Sequence, residues 1–269
     1  MLYEFFYFHD EIELLELKLS EMEGVVDRVI LMECEYDLAF KPKPMYYWEN
    51  RHLFEKYNHK IIHVNCDNIE EQRTNINPFR VRCANCIKGF KDCEPNDIIM
   101  YSDPDVIIKH SSYEKVRAAN LENHEASIIC DWYEYYMDWL LTVEKFLPCS
   151  AMLYKNTIDS GWATVHRWRP VGTVIENGGW HFSKMGGVEA ILKHIDGYPH
   201  RYLDYPSIMP MEEARALIQS RIDAGLSWEG GYPGKKVVEY IPYKPENYPA
   251  FLNEHPEIFA KYFRGGMNV

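Results

Sequence analysis

The chain has 269 residues, 46% apolar and 26% charged, the balance of an ordinary globular protein able to bury a sizeable core, which argues against disorder. Asp and Glu number 41 against 29 Lys and Arg, and the net charge of −12 disfavours non-specific binding to nucleic acid or to an anionic membrane. No apolar run approaches the ~18–20 residues of a membrane helix, and Met1–Phe6 has neither a basic lead nor a small-residue cleavage site, so a soluble, cytoplasmic protein is expected.

Residues 1–8 form an apolar, aromatic run that predicts a buried first strand. Ile12, Leu15, Leu19 and Met22 then recur at helical spacing, and Gly24 closes that helix. Val25–Met32 is β-branched and predicts a second strand. Lys41-Pro42-Lys43-Pro44 makes residues 36–50 an extended loop, because neither proline can sit inside a helix. Lys60–Asn65 reads as a third strand, residues 79–92 as a helix and Asp97–Tyr101 as a fourth strand. Strands alternating with helices predict a mostly parallel sheet flanked by helices, which binds ligands beyond the carboxyl ends of its strands.

The second half is less regular. Ala126–Cys130 reads as a strand, residues 131–182 hold short aromatic runs, and residues 186–195 and 210–224 read as helices. The stretch beyond Gly225 is rich in Gly, Pro and Tyr and is expected to wrap the surface. Without a linker or repeat, the expectation is a single domain over 1–269, read as segments 1–125 and 126–225 and a tail at 226–269. The seven scattered cysteines fit a reducing cytosol. Cys83, Cys86 and Cys93 lack the second Cys-x-x-Cys pair that a zinc site needs.

Chemistry concentrates at two places. The fourth strand runs out into Asp103-Pro104-Asp105, two carboxylates one residue apart that repel each other unless a cation lies between them. Hard divalent cations prefer carboxylate and phosphate oxygens, so this pair suits a metal–diphosphate complex; an Asp-Pro turn without a metal is the other reading. Asn177-Gly178-Gly179-Trp180-His181-Phe182-Ser183 offers a glycine pair for close backbone approach, an indole face for sugar stacking and a histidine suited to the same metal. A glycine turn entering a strand with a satisfied histidine is the alternative.

Taken in order, these segments resemble glycosyltransferase family 17, which includes the enzymes that add a bisecting N-acetylglucosamine to N-glycans. His9-Asp10-Glu11-Ile12-Glu13-Leu14-Leu15-Glu16-Leu17-Lys18-Leu19 is similar to the family's F-N-E-x-D-L-L-E-x-R-L, with Asp10 and Lys18 where Asn and Arg are usual. Met32-Glu33-Cys34 stands for V-E-S, Arg82 for the arginine of Q-R-N, Asp103-Pro104-Asp105 for S-D-x-D and Gly178–Ser183 for G-G-W-H-F-S. Val106 departs from the glutamate that usually follows S-D-x-D.

The resemblance implies a GT-A type, Rossmann-like fold, a nucleotide-sugar donor (UDP-linked by expectation) on the half at 1–125, a glycan acceptor on the half at 126–225, and inversion at the anomeric carbon. It implies Mn²⁺ or Mg²⁺ on Asp103, Asp105 and His181, with Asp10, Glu33, Lys41, Lys43, Arg82, Asp103 and Trp180 on the donor side. Inversion needs one base. Glu176, just before the glycine pair, is the preferred residue, Asp131 its rival, and Asp196 or Asp204 the fallback. Two other classes compete. A haloacid-dehalogenase-like phosphotransferase also uses D-x-D, but on the first strand of its core. A non-catalytic sugar-binding module would keep the fold alone.

Overall fold

Leu2–Tyr7, six consecutive buried residues, form strand β1, and burial on both faces marks it as an interior strand of its sheet. The structure is a computed structural model and describes residues 1–66, 69–74, 78–122, 124–142, 145–160, 172–197, 210–227 and 238–267. The chain divides into two compact units, Met1–Cys130 with Leu147–Gly179, and Asp131–Phe146 with Trp180–Val269. The later strands are β2 (Arg28–Glu33), β3 (Ile61–Asn65), β4 (Ile98–Tyr101), β5 (Val106–Ile108), β6 (Ala126–Glu134), β7 (Trp139–Leu141), β8 (Phe146–Leu153), β9 (Thr173–Ser183) and β10 (Val238–Tyr240). The α-helices are α1 (Ile12–Glu21), α2 (Tyr46–Asn50), α3 (Ile69–Thr74), α4 (Pro78–Cys83), α5 (His110–Ala118), α6 (Tyr154–Ser160), α7 (Gly187–Gly197), α8 (Met211–Asp223), α9 (Ala250–Glu254) and α10 (Pro256–Phe259).

In the first unit β3, β2, β1 and β4 lie side by side and parallel, with Phe5 opposite both Ile30 and Tyr101. Strand β8 then pairs antiparallel with β4, Ile99 opposite Met152. Alternation divides β1: Tyr3, Phe5 and Tyr7 join a core with Ile30, Met32, Ile99, Tyr101, Cys86 and Phe90. Burying each such aromatic or aliphatic side chain contributes roughly 1.5–3 kcal/mol. Phe6 faces the other way, under the Lys18 ammonium of α1 at 5.0 Å.

The α/β layout and the first four strands match the expectation, with instructive differences at the edges. Strand β2 begins at Arg28 rather than Val25, because the amides of Val25 and Val26 both donate to the Met22 carbonyl and prolong the helix end around Gly24, at φ +79°. The helix expected over 79–92 is α4 followed by a tighter 3₁₀ turn, Ala84–Gly89. The loop over 36–50 contains the short helix α2. Strand β5 and helix α5 had no counterpart in the sequence reading.

In the second unit β7 pairs antiparallel with both β10 and the end of β6, Tyr133 lying opposite Leu140. Trp132, Tyr135, Trp139 and Leu141 pack with Ile191, Leu192 and Ile195 of α7 and with Ala214, Ile218 and Ile222 of α8. The C-terminal stretch does more than wrap. It supplies β10, and the buried Asp138 carboxylate accepts the amides of Arg264 at 3.1 Å and Gly265 at 2.7 Å. Among the described residues no helix is long and apolar enough to cross a membrane.

Candidate active site

Strand β4 delivers the two aspartates. Beyond Tyr101 the chain turns sharply, and the Val106 amide donates to the Asp103 carbonyl at 3.1 Å. Pro104 takes the second position of that turn, where its fixed φ is favoured, and Asp103 the first. Both carboxylates are half-buried. The Tyr101 hydroxyl donates to Asp103 Oδ1 at 2.5 Å, and burial, followed by the Asp103 charge, pushes that phenol well above its usual range.

The neighbouring parallel strand, β1, ends in the turn His9-Asp10-Glu11. Glu11 Oε2 accepts the amides of Asp10 at 3.0 Å and His9 at 3.3 Å. Burial, then the charges of Asp10 and Asp105, raise its carboxyl to about 7. The charges of Asp10 and Asp105 thus reach Glu11 at the carboxyl ends of two adjacent strands, the rim where this class of sheet binds ligands. Repulsion of this kind is what a hard divalent cation relieves, so the donor set fits one. Among the described residues no three His, Cys, Asp or Glu side chains are gathered into a ready-made metal cluster.

Lys43 is the cation beside these acids. Its Nζ donates to the carbonyls of His9 and Pro44, both at 3.2 Å, and lies 5.2 Å over the Tyr46 ring. Burial lowers its pKa, against the pull of Glu33, Cys34, Asp10 and Glu11.

Other expected donor-side residues are engaged with the protein itself. Glu33 is fully buried and accepts the amides of Tyr47 at 2.9 Å and Trp48 at 3.2 Å, satisfying the first turn of α2, while His63 Nε2 lies 3.3 Å away. Arg82, 0% exposed, donates to the Tyr7 hydroxyl at 2.7 Å and to the carbonyls of Tyr36 and Asp37, with Tyr7 and Phe40 rings within 6 Å. It ties the loop after β2 to β1. Lys41 is exposed, and its amide donates to Asp37 Oδ1.

Glu176 is exposed on β9, in a shallow groove with Lys115, Ala118, Ala119 and Thr173. Gly178 O accepts the Lys109 amide at 2.8 Å, and a Cβ on Gly179 would stand 2.3 Å from the Ile107 carbonyl. Stepping back along β9 from Gly179 to Glu176 therefore leads toward α5 and away from Asp105. The glycine pair allows close approach, as its sequence suggests, but the partner is β5 rather than a ligand.

Trp180, His181 and Asp131 belong to the second unit. Trp180 is 6% exposed, and its Nε1 donates to the Asn247 carbonyl at 2.7 Å. His181 is 5% exposed and packs on Trp132, ring centroids 5.2 Å apart. Asp131 is paired with Lys145 at 2.5 Å. Asp196 is exposed on α7, and Asp204 lies outside the described residues. Of the expected site residues, Asp10 and Asp105 both act on the charge of Glu11, and Asp10 on that of Lys43; Glu11 itself follows Asp10 directly after a strand, a signal the sequence carries.

Comparison with known proteins adds three findings. The family model of glycosyltransferase family 17 matches residues 2–221. None of the curated proteins matches the chain. Among solved structures the chain is similar to 2-C-methyl-D-erythritol 4-phosphate cytidylyltransferase of Francisella tularensis (TM-score 0.38, 10% identity, covering 65% of this chain and 90% of that one). It is also similar to mannose-6-phosphate isomerase of Helicobacter pylori (0.36, 7%, 59% and 72%) and to an active-site mutant of LgtC (0.34, 10%, 96% and 95%).

Proposed function

The chain belongs to glycosyltransferase family 17 and is an enzyme that transfers sugars, and from that premise we propose that its α/β fold is of the GT-A type and performs a metal-assisted, inverting transfer from a nucleoside-diphosphate sugar to a glycan hydroxyl. One observation carries this reading: Asp10 and Glu11 follow β1 while Asp103 and Asp105 follow β4, so the acids stand at the carboxyl ends of adjacent parallel strands.

In the proposed reaction the bond between the anomeric carbon and the diphosphate oxygen breaks, and the diphosphate leaves with the electron pair. The acceptor oxygen bonds to the opposite face of that carbon, and its proton passes to a base on the protein. A bound Mn²⁺ or Mg²⁺ would act as a Lewis acid on the leaving diphosphate. Asp103 and Asp105 are the proposed ligands, with Glu11 and Asp10 completing the negative cradle. Lys43 adds a fixed positive charge for the phosphate oxygens. The Tyr101 hydroxyl holds Asp103 in one orientation.

Glu176 and Asp131 are the two proposed bases. Glu176 lies in an exposed groove and Asp131 is paired with Lys145, and kinetics of the two amide variants decides between them. UDP-N-acetylglucosamine is the first donor to test. Incubation with a panel of nucleotide sugars and Mn²⁺, followed by mass detection of released nucleoside diphosphate, tests the reading. Release that requires the metal supports it, and no release from any donor contradicts it. A phosphotransferase would instead hydrolyse a generic phosphate ester.

A further inference from the structure

Beneath the aspartate turn lies a buried ion pair that the proposed chemistry does not use. Lys18 of α1 and Glu4 of β1 are both 0% exposed, with Lys18 Nζ 2.8 Å from Glu4 Oε1. Nζ also donates to Ser102 Oγ at 2.6 Å, to the Val106 carbonyl at 2.7 Å and to the Asp103 carbonyl at 3.3 Å. The hydroxyls of Ser102 and Tyr113 both donate to Glu4, the latter at 2.7 Å. Asp103 and Val106 are the first and last residues of the turn that carries Asp105 between them.

We propose that Lys18 is the positioning residue of the acidic site, its ammonium gripping both ends of the Asp103–Val106 turn and so fixing where the two aspartates point. A buried carbonyl needs a donor: the ammonium supplies that of Val106 and, by a longer shared bond, joins the Val106 amide on that of Asp103. A buried ammonium in turn needs a counter-charge, which Glu4 provides from the neighbouring strand. Helix α1 makes the grip informative. It starts directly after Asp10 and Glu11, and Lys18 follows from Ile12 by roughly 9 Å of helix rise. The same rigid element therefore carries one group of acids at its start and holds the other group's turn further along. Its consequence for binding rests on the metal–diphosphate reading above; its consequence for the turn rests on the geometry alone.

Glu4→Gln together with Lys18→Met removes both buried charges, so no unpaired ion is left to unfold the variant. The expected results are a thermal midpoint several degrees below wild type, because the Val106 carbonyl loses its ammonium donor, amide exchange over Ser102–Ile108 at least about tenfold faster with the rest of the sheet unchanged, and affinity for UDP or GDP with Mn²⁺ weakened by about 10–100-fold, as for other supports of metal ligands. Unchanged exchange over Ser102–Ile108 overturns the proposal, as does a variant that does not fold or one that keeps wild-type diphosphate affinity. Faster exchange beside a wild type that binds neither diphosphate supports the grip and defeats the metal–diphosphate reading instead.

Discussion

Glu11, in the turn after β1, lies close enough to Asp105, in the turn after β4, for the aspartate's charge to join burial and Asp10 in holding the Glu11 carboxyl at about 7. Two acids so far apart in sequence meet because β1 and β4 are parallel neighbours, Phe5 opposite Tyr101, so that both strands end at the same rim.

Asp105→Asn keeps the shape of the turn and removes one of the repelling charges. The metal-free protein should melt at or above the wild-type temperature, because a half-buried turn carboxylate adds little to the core. Its Mn²⁺-dependent affinity for a nucleoside diphosphate should fall at least about tenfold by calorimetric titration. A large loss of metal-free stability would mark Asp105 as structural instead.

Arg82 distinguishes a fold role from a diphosphate role. Its guanidinium donates to Tyr7, Tyr36 and Asp37 while fully buried, so Arg82→Lys should strand acceptors and cost about 2–4 kcal/mol in urea unfolding. Normal stability with lost donor binding would return Arg82 to the phosphates.

Gly179→Ala forces a Cβ to within 2.3 Å of the Ile107 carbonyl and 3.0 Å of Ile108 Cα, both backbone atoms that cannot swing aside. Overpacking of this kind costs about 1–3 kcal/mol, again read by urea unfolding. A variant as stable as wild type would show that β5 and β9 separate more easily than their packing implies.

The base is a kinetic question. Of Glu176→Gln and Asp131→Asn, the variant that removes the base should lower kcat by about 10²–10⁴-fold while the donor Kd holds, and the other should leave kcat within a few-fold. Near-normal kcat in both variants would discard both residues.

The parallel half of the fold was legible in the sequence because its strands are continuous apolar runs separated by clear helix periodicity. Strand β5 was not, because Val106–Ile108 is three residues long and leads straight into α5, with no glycine or proline between them. The D-x-D pair could be found because two acids end a strand. Glu11 was hidden in a helix-start pattern where an acid is ordinary. Arg82 and Glu33 illustrate a second limit. A polar residue near a motif looks the same in sequence whether it meets a ligand or, as with Glu33 at the α2 amides, the protein's own backbone.

The acids after β1 and β4 are proposed to bind a divalent cation together with a diphosphate, and thermal unfolding of the wild type with UDP tests this most directly. In Mn²⁺, with UDP at about a hundred times its Kd, the midpoint should rise by roughly 5–10 °C, the shift mass action gives for ~2.7 kcal/mol in a chain of this size. In EDTA the same UDP should give no rise. An equal rise with and without the metal, or none with any nucleoside diphosphate in Mn²⁺, would contradict the account.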